Sequence, residues 1–486
     1  MGKWGIKWLA AGIFLVGLLA VYLCFTPTDE IRFIDQSLVS SLETEDFAPS
    51  TEMSLRQSRE YRSWQKGQDT TFHSLYNGNQ AIDLLAQRPN LVVLWAGYAF
   101  SKGYGTPRGH LYAIEDSRRT LRTGAPTPWN PDPQPAACWA CKSPDVPRLM
   151  QSMGVDTFYW KTWSALGSEV VNPIGCADCH DAQTMELRIT RPFLTEACER
   201  LGLPVDNASE DEMQSLVCAQ CHAEYYFKGP QREVVLPWDN GYAMEEIEAY
   251  YDTINFTDFT HKLSRAPLLK AQHPDFELAK TGIHAQRGVS CGDCHMPYVG
   301  KEVNRYKNHH IQSPLAMIEK TCQVCHRQTK EELITNVYDR QKKAVAVRTR
   351  LEEELTKAHI EAKFAWDKGA SEVQMEKVLK LLRQAQWRWD FVVASHGASF
   401  HAPQEVTRIL ADGLDKTMQA RLRLSRVLAA KGFTAAVPMP DLSTKEKAQQ
   451  YIGLDMPAEE AAKRQFLQTV VPEWLEEAKA NGRLME

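Results

Sequence analysis

Five pairs of cysteines, each pair separated by two residues, carry the most specific chemistry in this chain. Four of them read Cys176-Ala177-Asp178-Cys179-His180, Cys218-Ala219-Gln220-Cys221-His222, Cys291-Gly292-Asp293-Cys294-His295 and Cys322-Gln323-Val324-Cys325-His326. Cysteines three apart sit on one helical turn, so both sulfurs reach the two vinyl groups of one porphyrin. The histidine that follows then points under the ring and ligates its iron. A disulfide or half a zinc site also uses Cys-x-x-Cys. Neither explains a histidine placed directly after the second cysteine four times over, so these motifs read as covalent haem c attachment.

The remaining pair, Cys138-Trp139-Ala140-Cys141-Lys142, keeps the cysteine spacing but puts lysine where histidine is expected. Lysine ligates a metal only as the neutral amine, and coordination itself drives off the proton. An axial ligand unlike the other four marks this haem as the one with a different task, the catalytic one. Six-coordinate electron-transfer haems need four more ligands. His73, His110, His261, His273, His284, His309, His310, His359, His396 and His401 are available. Spacing does not choose among them.

These motifs must be held by the rest of the chain. Residues 70 to 142 are rich in Gly, Pro and aromatics, with Gly97-Tyr98 and Gly103-Tyr104-Gly105 reading as loops and the run from Thr123 to Pro135 as irregular. From 138 to 326 the motifs sit among short apolar pieces without strand alternation. From about Asp339 to Lys431 the texture becomes helical. Leu351, Leu355, His359 and Phe364 fall at helical spacing, then Val373, Val378, Leu381, Leu382, Trp387 and Phe391, then a third stretch from about Gln404 to Ala430. Lys368-Gly369 reads as a break. The expected fold is mainly α, with haems packed in a compact helical and loop region and long C-terminal helices able to form a homodimer interface.

Bulk properties permit this and exclude little. The 486 residues are 43% hydrophobic and 24% charged, which rules out wholesale disorder, and a net charge of −5 argues against nucleic acid. Lys3 and Lys7 precede an uncharged apolar stretch from Trp8 to Thr28, the pattern of a secretory signal or a membrane anchor. Residues 1–30 are therefore expected to direct export to the periplasm, with an anchor slightly favoured. Residues 31–335 form the pentahaem region, and 336–486 a long-helix region completing the same domain. Cys198, outside every motif, reads as a buried thiol.

The chain resembles the ammonia-forming pentahaem cytochrome c nitrite reductases across residues 70 to 440. The resemblance rests first on one Cys-x-x-Cys-Lys followed by four Cys-x-x-Cys-His. Supporting pieces are Pro107-Arg108-Gly109-His110, Leu121-Arg122-Thr123-Gly124-Ala125-Pro126, Cys141-Lys142-Ser143-Pro144-Asp145, Cys221-His222-Ala223-Glu224-Tyr225-Tyr226, Leu269-Lys270-Ala271-Gln272-His273-Pro274 and Phe400-His401-Ala402-Pro403. It implies five haem c groups and six-electron reduction of nitrite to ammonium. Arg108, Tyr225 and His273 match the distal active-site trio, and Lys142 the proximal ligand. Glu224 and Gln272 (side chains) with Tyr225 and Lys270 (carbonyls) match a calcium site. His310, His110, His401 and His284 match the distal ligands of the second to fifth haems. His309 adjoins His310, and His396 lies near His401.

Those roles make physical sense. Arg108 offers nitrite a permanent positive charge, His273 a proton near neutral pH, and Tyr225 a neutral donor. Oxygen donors around Glu224 suit calcium. Other readings stay open: Arg108 on a haem propionate, Tyr225 against a porphyrin face, Glu224 as a salt-bridge partner, His273 as an iron ligand. A pure electron carrier, or a reductase of hydroxylamine, sulfite or tetrathionate, shares many of these features. The expected electron donor is a membrane quinol-oxidising cytochrome or a small soluble cytochrome.

Overall fold

The computed structural model describes residues 57–126 and 134–484, so the apolar N-terminal segment lies outside the described residues. Each attachment motif is a single helical turn, as the chemistry requires. The His180, His222 and His326 amides donate to the carbonyls of Cys176, Cys218 and Cys322, each at 2.9 Å, closing one α-type turn over the cysteine pair. The lysine motif closes more tightly, with the Lys142 amide donating to Trp139 O at 2.9 Å. Between the motifs run short helices, including α1 (Pro192–Arg200), α2 (Glu210–Ala219, ending in the third motif) and α3 (Asp275–Thr281). Sheet is confined to small antiparallel ribbons. The longest pairs β1 (Tyr226–Lys228) with β2 (Glu233–Val235), Tyr226 opposite Val235.

The chain then changes character. Thr329 caps α4 (Lys330–Asp367): its hydroxyl accepts from the Glu332 amide while the Glu332 carboxylate accepts from the Thr329 amide. This capping box starts the helix nine residues before the expected Asp339. Gly369, at φ +76°, ends it where a break was expected. Ser371 opens α5 (Glu372–Ala394) with a second such box, and α6 (Pro403–Ala430) begins on a proline. A fourth long helix, α7 (Met456–Ala480), was not foreseen. Leu351, Leu355, Val378, Leu382, Trp387 and Phe391 are buried together with Val406, Ile409 and Leu424. Val373 departs from the expectation. It lies in the first turn of α5, 83% exposed, before the helix reaches its neighbours. Trp95, behind the short buried helix Asn90–Leu94, packs on Trp389 of α5 and ties the bundle to the N-terminal loops. Cys198 is buried in α1.

Candidate functional site: opposed imidazoles and a lysine pocket

Four motif histidines each have another histidine at nearly one spacing, and His222 has His273 nearer still, at 4.3 Å. Ring centres are 6.2 Å apart for His110 and His222, 6.1 Å for His180 and His309, 6.2 Å for His295 and His401, and 6.2 Å for His284 and His326. A metal between two opposed imidazoles, each nitrogen about 2 Å away and each ring centre about 1 Å further, gives roughly 6 Å. Spacing alone is not diagnostic, because His273 and His396 are also 6.1 Å apart and neither belongs to a motif.

Tautomers add the second criterion. Backbone carbonyls only accept, so the ring nitrogens facing them must carry the proton. His180 Nδ1 donates to Met185 O (2.7 Å), His295 Nδ1 to Gln312 O (3.0 Å) and His309 Nδ1 to Lys307 O (3.0 Å). Each neutral ring thereby keeps its Nε2 lone pair for a metal. Among the described residues no disulfide forms, so all ten motif sulfurs are available for thioether bonds. The residues present fit covalent haem.

One pairing corrects the sequence reading. The ring opposite His180 belongs to His309, not His310, which instead turns Nδ1 to the Gln312 side-chain amide at 3.3 Å. The His309 amide donates to Ser63 Oγ at 2.8 Å, and this anchor from a distant helix is invisible to local sequence. Around His401, close packing fixes the ring. A Cβ on Gly282 would overlap the His401 carbonyl, and one on Gly397 its imidazole.

The motifs also lie beside one another. The Cys141 thiol is within hydrogen-bonding reach of Cys221, and Cys218 of Cys291. Cys179 lies near Cys218, and Cys294 near Cys322. The first, third, fourth and fifth motifs therefore follow one another in space, and the second borders the third.

Lys142 sits in the pocket beside the first motif. Burial holds its ammonium below the usual lysine range, the nearby cysteines oppose that shift, and the Arg122 charge adds to it. The neutral amine that ligation needs is thus favoured. Tyr225 stays protonated: burial raises its phenol well above the ordinary value, and the Cys141 and Cys138 sulfurs raise it further. His273 donates from Nδ1 to Cys221 O (3.1 Å), and its Nε2 lies 3.0 Å from Asp275 Oδ2. Burial alone would lower this imidazole, but the Asp275 carboxylate outweighs it and leaves the value raised. Asp275 Oδ2 is also 3.7 Å from His222 Nδ1, which draws His222, His273 and Asp275 into one cluster.

The arginine expected here is elsewhere. Arg108 is clamped by Asp116 (Nη2–Oδ1 2.6 Å) and Glu115 (3.1 Å), and stacks 3.9 Å over Tyr112. Its charge is spent on the helix that follows it, Ala113–Arg119. Arg122 instead lies near the lysine motif, its charge felt by Cys138, Lys142 and Tyr225. Gln134 links the two segments, donating to Arg122 O (3.4 Å) while its Oε1 accepts from Cys138 Sγ (3.5 Å). Arg122 lies over the Phe100 ring at 4.7 Å. The residue was in plain view in Leu121-Arg122-Thr123-Gly124, but nothing local to the sequence separates it from Arg108.

The four residues matched to a calcium site converge. Glu224 is fully buried, with Oε2 accepting the Gln272 amide at 2.6 Å and Oε1 the Tyr251 hydroxyl at 3.0 Å. Gln272 Nε2 reaches Lys270 O at 3.1 Å, and Tyr225 follows Glu224 directly. Burial raises the Glu224 carboxyl well above its usual value, and Glu277 and Asp258 raise it further. Asp258 and Glu277 are themselves pushed up to about 7, mainly by burial. Lys270, the cation beside them, holds Asp390 at 3.0 Å. A buried cluster of oxygen donors with surplus acid fits a hard divalent cation.

Opposed imidazoles over Cys-x-x-Cys turns, in a helical and loop fold, define a multihaem c-type cytochrome with covalently bound haem. Residues 50–482 match the model of the cytochrome c552 family. The chain is 65% identical over 426 residues to a cytochrome c-552 of Parabacteroides distasonis, covering 88% of this chain and 86% of that one. It is 58% identical over 482 residues to a cytochrome c-552 of Bacteroides thetaiotaomicron, covering 99% and 98%. Its fold is similar to that of the catalytic subunit (NrfA) of the cytochrome c nitrite reductase from Desulfovibrio desulfuricans, whose structure has two calcium sites. The TM-score is 0.74 at 28% identity, covering 86% of this chain and 91% of that one. The chain belongs to the cytochrome c552 family.

Proposed function

We propose that this protein reduces nitrite to ammonium in a six-electron reaction, using a haem that Cys138 and Cys141 would hold covalently and Lys142 would ligate. The observation that carries this reading is the grouping of Arg122, Tyr225 and His273 around Lys142 of the lysine motif. Similarity to a cytochrome c nitrite reductase supports it. The haem, when bound, supplies the redox-active iron at which nitrite nitrogen is reduced.

The residues have separable tasks. Arg122 supplies a permanent cation that draws in and orients the anion. His273, anchored at Nδ1 by Cys221 O, holds a proton at Nε2 against Asp275 and would pass it toward nitrite oxygen by parting from that carboxylate. Tyr225, fixed as a neutral phenol, donates a hydrogen bond and keeps partly reduced nitrogen species in place. Calcium held by Glu224, Gln272, Lys270 O and Tyr225 O would anchor the loop that carries His273 and the loop that carries Tyr225. The pairs His180 with His309, His222 with His110, His295 with His401 and His326 with His284 would hold four further haems, whose chemistry is electron transfer between neighbouring motifs. Export to the periplasm, a cytochrome as donor and a homodimer complete the proposal.

The test is nitrite-dependent oxidation of a reduced viologen by the purified holoprotein, with ammonium quantified. Stoichiometric ammonium, abolished in Lys142→Ala and sharply reduced in His273→Ala, supports the reading. A holoprotein with normal haem content that forms no ammonium overturns it in favour of an electron carrier.

A further inference from the structure

The two residues between the cysteines of a haem motif are usually regarded as spacers. Here those of three motifs meet in one buried polar cluster. Arg191, 1% exposed at the start of α1, spreads its guanidinium over four acceptors. Nε donates to Ala140 O (2.8 Å), inside the lysine motif, and Nη2 to Ser143 O (2.9 Å), just beyond it. Nη2 also donates to Asp178 Oδ1 (2.6 Å), inside the second motif, and Nη1 to Thr190 Oγ1 (2.6 Å). The third motif joins through Gln220, whose Nε2 donates to Asp178 O (2.7 Å) and whose Oε1 accepts from Thr190 N and Oγ1 (both 3.1 Å). Asp178 Oδ2 accepts from Gly175 N at 2.8 Å, so its carboxylate also closes its own turn.

Arg191, Asp178 and Gln220 are all nearly solvent-free. An apolar core would hold the backbone there at lower desolvation cost than a buried ion pair. What the pair adds is direction: a planar fork reading four fixed acceptors sets the mutual register of the segments that carry them. The fourth motif is tied differently, by Cys291 N donating to Ser215 Oγ of α2 (3.2 Å), and Arg191 makes no bond to it.

We propose that Arg191 is a positioning residue that locks the first three haem-attachment motifs into one register, and that the Arg191–Asp178 charge pair at their junction selectively sets the reduction potentials of the haems they carry. A cation nearby favours the reduced haem, which carries one positive charge fewer, and an anion favours the oxidised one. The two partners must therefore act with opposite sign. This rests on covalent haem at the motifs and not on nitrite as substrate, so its outcome is independent of ammonium formation.

The experiment is an EPR-monitored redox titration of purified Arg191→Gln and Asp178→Asn holoproteins, with haem content counted by mass. Arg191→Gln is expected to lower the potentials of the haems on the first three motifs and Asp178→Asn to raise them, with those on the fourth and fifth nearly unmoved. Unchanged potentials, shifts of one sign in both variants, or an equal shift of all five haems overturns the proposal. Should Arg191→Gln fail to mature, Asp178→Asn decides alone: a selective rise supports the proposal, and no shift or a uniform one refutes it.

Discussion

The motif-bearing segment from 134 to 326 and the helical bundle from 330 to 430 are both densely buried, yet their side chains close on different things. In the bundle they close on each other. Trp387, Phe391, Leu382 and Val406 fill one apolar core, and buried Arg388 pairs with Asp412 inside the bundle while also reaching Glu248 (3.0 Å) on the segment packed against it. In the motif segment imidazoles stand about 6 Å apart in opposed pairs, and polar side chains such as Arg191 and Asp178 hold backbone turns. That segment is a mould for prosthetic groups, and its polar network fixes the walls. The difference predicts that lesions in the bundle register as lost stability. Lesions in the mould register as altered spectra, potentials or turnover.

The largest expected effect is on the bundle. Trp387 is fully buried and donates from Nε1 to Met244 O at 3.1 Å. Trp387→Ala should cost about 3–5 kcal/mol of stability, the usual range for deleting a core aromatic. Denaturant unfolding would measure it, and the Soret spectrum of protein that remains folded should be unchanged. A spectral change at full stability would break the division between the two regions.

In the mould, Arg122→Gln should lower kcat/KM for nitrite by about 10²-fold, the scale of losing one charge-stabilising donor. Arg108→Gln should change it by less than about threefold, since an exposed ion pair is worth about 0–1 kcal/mol. The reverse ranking would return the anion site to Arg108. A parallel pair separates neighbouring histidines. His309→Ala should convert one low-spin haem to a high-spin one by EPR, and His310→Ala should not. Removing calcium with a chelator should lower turnover while leaving haem content intact, with recovery on adding calcium back. Glu224→Gln should blunt that recovery.

How much of this was legible follows the same division. The long helices were readable because burial of one face imposes a 3.6-residue period on Leu351, Leu355, Val378 and Leu382. Their ends shifted where capping boxes at Thr329 and Ser371 decided, and Val373 fell on solvent because periodicity says nothing of where a neighbour begins. The attachment motifs were readable because one covalent reaction dictates their spacing. Distal ligands, by contrast, come from anywhere in the chain. His309 and His310 are adjacent in sequence, and only the Ser63 anchor and the Lys307 carbonyl turn the first toward His180. Arg108 and Arg122 differ only in what surrounds them. Asp116 and Glu115, eight and seven residues after Arg108, neutralise it before it can reach an anion.

The smallest effect comes from a feature that no haem motif explains, where the loop carrying His261 packs on α4 of the bundle. His261 and His359, both fully buried, stack with ring centres 3.9 Å apart. Ser264 Oγ sits between them (3.1 and 2.9 Å), and Val93 O and Gln386 Oε1 cap the outer nitrogens at 2.8 and 2.7 Å. Burial pushes His261 down to about 4 and His359 well below its ordinary value, where the His261 charge lowers it further. Both folded-state values are depressed. The unfolded chain therefore takes up protons first, so stability is complete above about pH 6.5 and is lost as pH falls below it. Each histidine should remove about 1 kcal/mol over the first pH unit below that point. Denaturant unfolding of holoprotein between pH 7.5 and 5.0 should show this slope, and His261→Asn should roughly halve it. Because no bond of the pair reaches a haem ligand, the potentials of the haems should not change in that variant. A slope unaffected by His261→Asn would move the acid-sensitive step away from the stacked histidines, to the buried carboxylates around Glu224.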